Sequence, residues 1–169
     1  MRPLFRLCLL LLALFCGDII PSWATPANEQ ADFVKIEKAA RTLLLLSHGK
    51  VLRQYRVALG ANPIGPKERQ GDGRTPEGTY YIVSRNPKSA YHRALRISYP
   101  NQADTIRARK LGVAPGGDIM IHGITNGMGW IGAAHRQIDW TLGCIALTDQ
   151  EIDEVWRLVP DKTRVEIVP

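Results

Sequence analysis

Apolar and polar residues alternate with a period of two along much of this chain, the pattern of strands that bury one face. Phe33–Glu37 alternates in this way. Residues 42–46 form a continuous apolar run, short enough for a fully buried strand. Ser47-His48-Gly49-Lys50 reads as a turn, and residues 51–59 return with Tyr55 and Val57, which together predict a β-hairpin. Further strands are predicted at 79–84, 95–99, 119–122 and 163–168. Two stretches change to a helical period. Residues 101–111 have Asn101 as cap, Asp104 as the capping-box carboxylate and Gly112 as stop. Residues 148–158 have Thr148 as cap and Glu151 as its partner, with Ile152, Val155, Trp156 and Val159 on one face. Residues 60–78 are a glycine- and proline-rich loop of a length often reserved for function. No repeat or linker divides the chain. Short strands with two short helices predict a mainly β fold, an antiparallel sandwich or partly closed barrel.

The first 24 residues have a different character. Arg2 and Arg6 precede the apolar run 7–15, Gly17 and Pro21 break it, and Ser22-Trp23-Ala24 sets small residues three before and one before a cut after Ala24. This is the layout of a secretory signal peptide, and the run is shorter than the ~20 apolar residues of a spanning helix. Residues 1–24 are therefore expected to be a signal, 25–32 a leader and 33–169 one domain. A retained signal would tether that domain to a membrane. The 22 Lys plus Arg against 16 Asp plus Glu give +6, and +5 without Arg2, Arg6 and Asp18. That balance favours an acidic partner. No basic run, zinc-finger spacing or aromatic–basic interleaving points to nucleic acid. In an exported protein the partner is a carboxylate-rich wall polymer or an anionic membrane surface.

Cys8 and Cys16 leave with the signal, so Cys144 becomes a solitary cysteine in an oxidising compartment. It is either a small buried hydrophobe or a retained nucleophile. It follows Gly143 in Thr141-Leu142-Gly143-Cys144, four residues before a helix start, where backbone N–H groups can favour a thiolate or bind an oxyanion. A nucleophile needs a base. His48 lies in a turn, His92 in a loop and His135 in Ala-Ala-His-Arg, whereas His122 ends the apolar run Ile119-Met120-Ile121 and would be held rigidly. His122, His135, Asp139 and Cys144 could also ligate zinc, though their spacing matches no known signature. Trp130 and Trp140 flank the segment between His122 and Cys144, as cleft walls or as core.

Three motifs in order, Gly73-Arg74-Thr75-Pro76-Glu77-Gly78-Thr79-Tyr80, Ile121-His122-Gly123 and Thr141-Leu142-Gly143-Cys144, resemble the L,D-transpeptidase catalytic domain of bacterial envelopes, the YkuD type. The resemblance covers roughly residues 34–168. It implies that family's β-sandwich or partly closed barrel, with Cys144 as nucleophile and His122 as general base and acid. It also implies that the Gly123 carbonyl orients the ring and that the Gly143 and Cys144 N–H groups form an oxyanion hole. Thr141, Trp130, Arg136, His135 and Arg74 become candidate substrate contacts, beside Arg69 and Arg93. No metal or other cofactor is implied. The substrate class would be peptidoglycan stem peptides, with a wall-attached envelope protein as a further partner, in the periplasm of a Gram-negative bacterium. Leu142 and Ala146 stand where many members have histidine and arginine or asparagine; a branch with Gly-Cys-x-Ala is closer. Hydrolysis as well as transfer occurs in the family, so amine and water both remain as acceptors. A silent wall-binding module and a zinc hydrolase are the rival readings.

Overall fold

A computed structural model describes residues 29–169. The expected signal, the cut after Ala24 and the first part of the leader lie outside the described residues. The end of the leader is part of the body: Ala31 is buried, and its N–H donates to Leu158 O at 2.8 Å. Among the described residues no helix is long and apolar enough to cross a membrane.

The strands are β1 (Phe33–Glu37), β2 (Thr42–Ser47), β3 (Lys50–Arg56), β4 (Gly78–Ser89), β5 (His92–Ile97), β6 (Met120–His122), β7 (Ile145–Ala146) and β8 (Arg164–Val168). The helices are α1 (Gln102–Lys110) and α2 (Asp149–Leu158). One eight-stranded sheet runs in the order β3-β2-β1-β8-β4-β5-β6-β7. It is mostly antiparallel, but β1 with β8 and β6 with β7 pair in parallel, which alternation alone does not reveal. The sheet is open and curls until its two edges touch. Ala58 and Ala146 exchange main-chain bonds of 3.0 and 2.8 Å, and Gly60 bridges to Thr141. The mainly β fold expected from the alternation is thus present, with edges that meet through isolated bridges.

The hydrophobic core lies inside this curl. Val34 and Ile36 of β1 and Val165 and Ile167 of β8 are buried, as the alternation requires, whereas β2, expected as a buried run, buries Leu43 and Leu45 and leaves Leu44 and Leu46 half-buried. Helix α2 closes one side with Ile152, Val155 and Leu158. Trp156 is only partly buried, and the guanidinium groups of Arg85 and Arg93 lie 4.8 and 5.5 Å from its ring. Both capping boxes form as read from the sequence. Strand β4 runs five residues beyond its predicted end. Its polar extension is solvated, but Arg85 anchors it to Asp161 and to the carbonyls of Trp156 and Val159. Two turns of 3-10 helix over Gly129–Gln137 join at Gly132, whose positive φ of 52° breaks their continuity; no periodicity marked this segment.

Two buried lysines organise the loop 60–78. Lys38 donates to Thr75 O at 3.0 Å and Glu77 at 2.8 Å, while Lys67 pairs with Asp72 at 2.7 Å. Asp72 also accepts from the N–H groups of Glu68, Arg69 and Arg74, and these bonds with the Lys67 pairing outweigh burial to hold its carboxyl at about 2.

Truncations on α2 test this reading of the core. Ile152→Ala is expected to cost about 3 kcal/mol through lost burial and a residual cavity. Thr148→Ala, which removes only the cap, is expected to cost about 1 kcal/mol. Urea unfolding of the two variants measures both, and equal losses would refute the packing role given to Ile152.

Candidate active site

His122 is fixed from three sides. Ala94 of β5 pairs with it, its carbonyl accepts from Leu147 N at 2.8 Å, and the following Gly123 N–H bonds back to Tyr91 and Arg93 carbonyls. Gly123 is obligatory here: a Cβ would lie 2.7 Å from Asp149 Oδ1, the oxygen that accepts the Ile124 N–H. The N-terminus of α2 is thereby pinned to the turn after His122. His122 Nδ1 lies 2.7 Å from the Gly123 carbonyl, which can only accept, so Nδ1 carries the proton and Nε2 is the basic nitrogen. Burial pushes the imidazole below its ordinary value of 6.5, against the opposing pull of the Gly123 bond.

Cys144 sits at the edge of β7 in a turn held by its neighbours. Thr141 exchanges main-chain bonds with Leu59 and Ala61 across the closing seam. Its Oγ1 donates to Cys144 O at 2.8 Å and accepts from Gly143 N at 3.1 Å. Gly143 has a φ of +130°, and a Cβ there would come within 2.5 Å of Arg74 O. Only glycine meets both constraints. The thiol is half-buried and donates to Asp118 O at 3.5 Å. Burial raises it above its ordinary 9.0, while the Met120 N–H and the Lys67 charge pull it down and Asp118 pushes it up. At neutral pH both partners are therefore uncharged, and no hydrogen bond joins them in this state.

Both groups open on one cavity of about 330 Å³, walled also by Tyr91, Trp140 and the 117–120 segment. Tyr91 stacks on His122 with ring centres 4.6 Å apart, and Trp140 meets the same ring edge-on at 5.8 Å. Behind Trp140 lies an apolar cavity of about 390 Å³ lined by Ile124, Met128, Ile131 and His135. His135 Nδ1 accepts from Trp140 Nε1 at 3.3 Å, and burial first, then the Arg136 charge, lower it to about 4.

The structure brings His122, Gly123, Thr141, Gly143 and Cys144 together. Trp140 and Leu142 line the same cavity, and the remaining residues singled out from sequence lie elsewhere. Trp130 is 79% exposed and walls neither cavity. Arg136 is paired with Glu151, and Arg74 turns towards Pro66 O and Glu68. Arg69 lines a separate polar cavity with Arg74, while His92 and Arg93 engage Asp153 on α2. Thr141 lines the cavity and uses its hydroxyl to organise the turn that carries Cys144. The Gly143 N–H is taken by Thr141 Oγ1 in this state, whereas the Cys144 N–H carries no such bond among the described residues. Asp139 is engaged by Arg41 and by Leu59 N, and among the described residues no group of three His, Cys, Asp or Glu could hold a metal ion. Tyr91, Gly117 and Asp118 were not expected as cavity walls, because a hairpin turn and a glycine-rich connection carry no chemical signal of their own.

The L,D-transpeptidase catalytic domain model of the YkuD family matches residues 31–167. YafK of Escherichia coli (strain K12) is 34% identical over 134 residues, covering 75% of this chain and 46% of that protein. The crystal structure of the helical cell shape determining protein Pgp2 from Campylobacter jejuni superposes with a TM-score of 0.62 at 27% identity, over 80% of this chain and 46% of that one. An L,D-transpeptidase from Mycobacterium smegmatis shares the fold, with a TM-score of 0.53 at 15% identity over 81% of this chain and 58% of its own. The chain spans about half the length of the curated relatives it matches. A family match across nearly all the described residues, on a fold shared with solved L,D-transpeptidases, means that the chain belongs to the YkuD family of L,D-transpeptidase catalytic domains.

Proposed function

We propose that this domain is an exported cysteine acyltransferase acting on peptidoglycan stem peptides, with Cys144 as nucleophile and His122 as base. The observation that carries the reading is that both side chains wall one cavity while the Gly123 carbonyl leaves His122 Nε2 as the basic nitrogen.

Because both groups start neutral, proton transfer accompanies attack. His122 Nε2 takes the thiol proton as Sγ bonds to the carbonyl carbon at the L-centre of an L,D bond. The carbonyl π pair moves to oxygen, where the Cys144 N–H, joined by the Gly143 N–H once it leaves Thr141 Oγ1, stabilises the oxyanion. The oxyanion collapses, the C–N bond breaks, and the proton on His122 goes to the leaving amine. This leaves a thioester on Cys144. An amine acceptor then loses its proton to His122 and attacks the thioester, giving a new amide and the free thiol. With water as acceptor the same steps hydrolyse the stem or release an attached envelope protein. The N-terminal pattern and the location of the wall polymer support export to the periplasm as part of this reading.

Cys144→Ala is expected to abolish conversion of purified muropeptides, read by mass spectrometry as cross-links, exchanged ends or shortened stems. A loss of only a few-fold would sink the covalent mechanism, since deleting a nucleophile costs orders of magnitude. The product pattern distinguishes amine from water as acceptor. A silent wall-binding module would give no product even in the wild type, and a zinc hydrolase would lose activity to a chelator.

His122→Ala should be nearly as inactive as Cys144→Ala, and the double variant little worse than either, because groups that act as a unit are strongly non-additive. His135→Ala and His92→Ala should retain activity. Survival of His122→Ala would require another base.

The pH dependence has a definite sign. His122 must be neutral to accept the proton and is depressed below 6.5, so kcat/KM should rise along a limb lying below that value. The thiol is raised above 9.0, so the profile should then stay level through neutral pH. An acid limb above pH 6.5 in the wild type, absent from His122→Ala, would contradict a buried neutral base.

A further inference from the structure

Lys67 is the buried cation of the segment directly behind the nucleophile turn, and the mechanism above makes no use of it. Its side chain is 3% exposed and that of its partner Asp72 is 9% exposed. The link to the nucleophile is short and continuous. Asp72 Oδ1 accepts both Lys67 Nζ at 2.7 Å and Arg74 N at 3.1 Å, and the Arg74 carbonyl is the atom against which Gly143 is packed. Gly60, at the start of the same loop, approaches the Gly143 Cα so closely that a Cβ would lie 3.1 Å from it. Lys67 Nζ has a second bond to Arg69 O at 3.1 Å, so two of its three donors are used inside the loop. Burying an ammonium is costly even when it is paired, and a neutral donor could hold Asp72 and Arg69 as well.

The charges around Cys144 leave Lys67 a distinct role. From the 117–120 segment comes Asp118, exposed and paired with Arg96 at 3.2 Å. From β6 comes His122, uncharged and bonded to Gly123 O. From the loop come Lys67, Asp72, Glu68 and Arg74, and the Arg74 guanidinium is turned towards Pro66 O and Glu68. Of these groups, Lys67 is the cation whose field favours the thiolate.

We propose that Lys67 is a positioning residue for the nucleophile: its buried ammonium supplies the positive field that stabilises the Cys144 thiolate, and Asp72 fixes it in place and tempers that field. This rests on the proposed function only in taking Cys144 as the nucleophile. The roles of the pair are separable because removing either residue disturbs the loop, whereas the two charges act on the thiol with opposite sign.

The test is the rate of Cys144 alkylation by iodoacetamide against pH in the purified protein, for wild type, Lys67→Met, Lys67→Arg and Asp72→Asn, with thermal melts establishing that each is folded. Lys67→Met should raise the alkylation midpoint by roughly half a pH unit or more. Lys67→Arg should stay near wild type, and Asp72→Asn should leave the midpoint at or below the wild-type value. Should Lys67→Met fail to fold, Lys67→Gln, which keeps a donor for Asp72, takes its place. An unshifted midpoint on loss of the lysine charge overturns the proposal. So does a rise in both the lysine variant and Asp72→Asn, which would mark a purely structural loop clamp. Muropeptide turnover separates the two levels. If Cys144 is the nucleophile for that substrate, Lys67→Met lowers kcat with little change in KM. Shifted alkylation in a protein that leaves muropeptides untouched would sink the substrate reading and retain the role of Lys67.

Discussion

The site depends on the main-chain seam that joins the two edges of the curled sheet. The paired Ala58–Ala146 bonds and the Gly60–Thr141 bridge bring the chain after β3, the loop 60–78 and the turn that carries Cys144 to one place. These groups are buried, and unpaired peptide groups there would carry a heavy desolvation cost, so the seam is either complete or absent. Thr141 extends it by bonding Leu59 and Ala61 through its backbone and Gly143 and Cys144 through its hydroxyl. A slip on either side of the seam would displace Cys144 from the cavity it shares with His122.

Burial sets the electrostatics of the site. Burial acts on His122 and Cys144 in opposite chemical directions, lowering the imidazole and raising the thiol, and both shifts disfavour a resting ion pair. The shifts favour the neutral forms of both, which disfavours the thiolate, the form that oxidises readily. The aromatic walls formed by Tyr91 and Trp140 hold the His122 ring in place without adding charge.

Behind the turn, the loop 60–78 has no regular structure yet is well fixed. Lys38 and Lys67 bind its carbonyls and carboxylates from inside, and Asp72 gathers three of its backbone N–H groups. Such internal bonding replaces the ladder that a strand would supply. A glycine-rich segment can thereby serve as a fixed backing for the turn that carries Cys144.

Local pattern was enough for the strands β1, β2 and β8 and for both capping boxes, and it singled out Cys144 and His122, which line one cavity. Alternation, cap residues and a reactive residue beside glycine are short-range properties written in neighbouring positions. The β4 extension was missed because its stabilising contacts come from Arg85 to distant carbonyls, and β7 because two residues carry no period. Tyr91 and the 117–120 segment became cavity walls only through folding, while Trp130, Arg136 and Arg74, chosen for their chemistry, were drawn away by exposure or by ion pairs elsewhere. By itself the sequence determined the main element types and singled out Cys144 and His122, because these depend on residue identity and spacing. The tertiary structure alone decided which side chains share the cavity, the parallel pairings and the buried cation behind the thiol, because each depends on contacts between residues far apart in the chain.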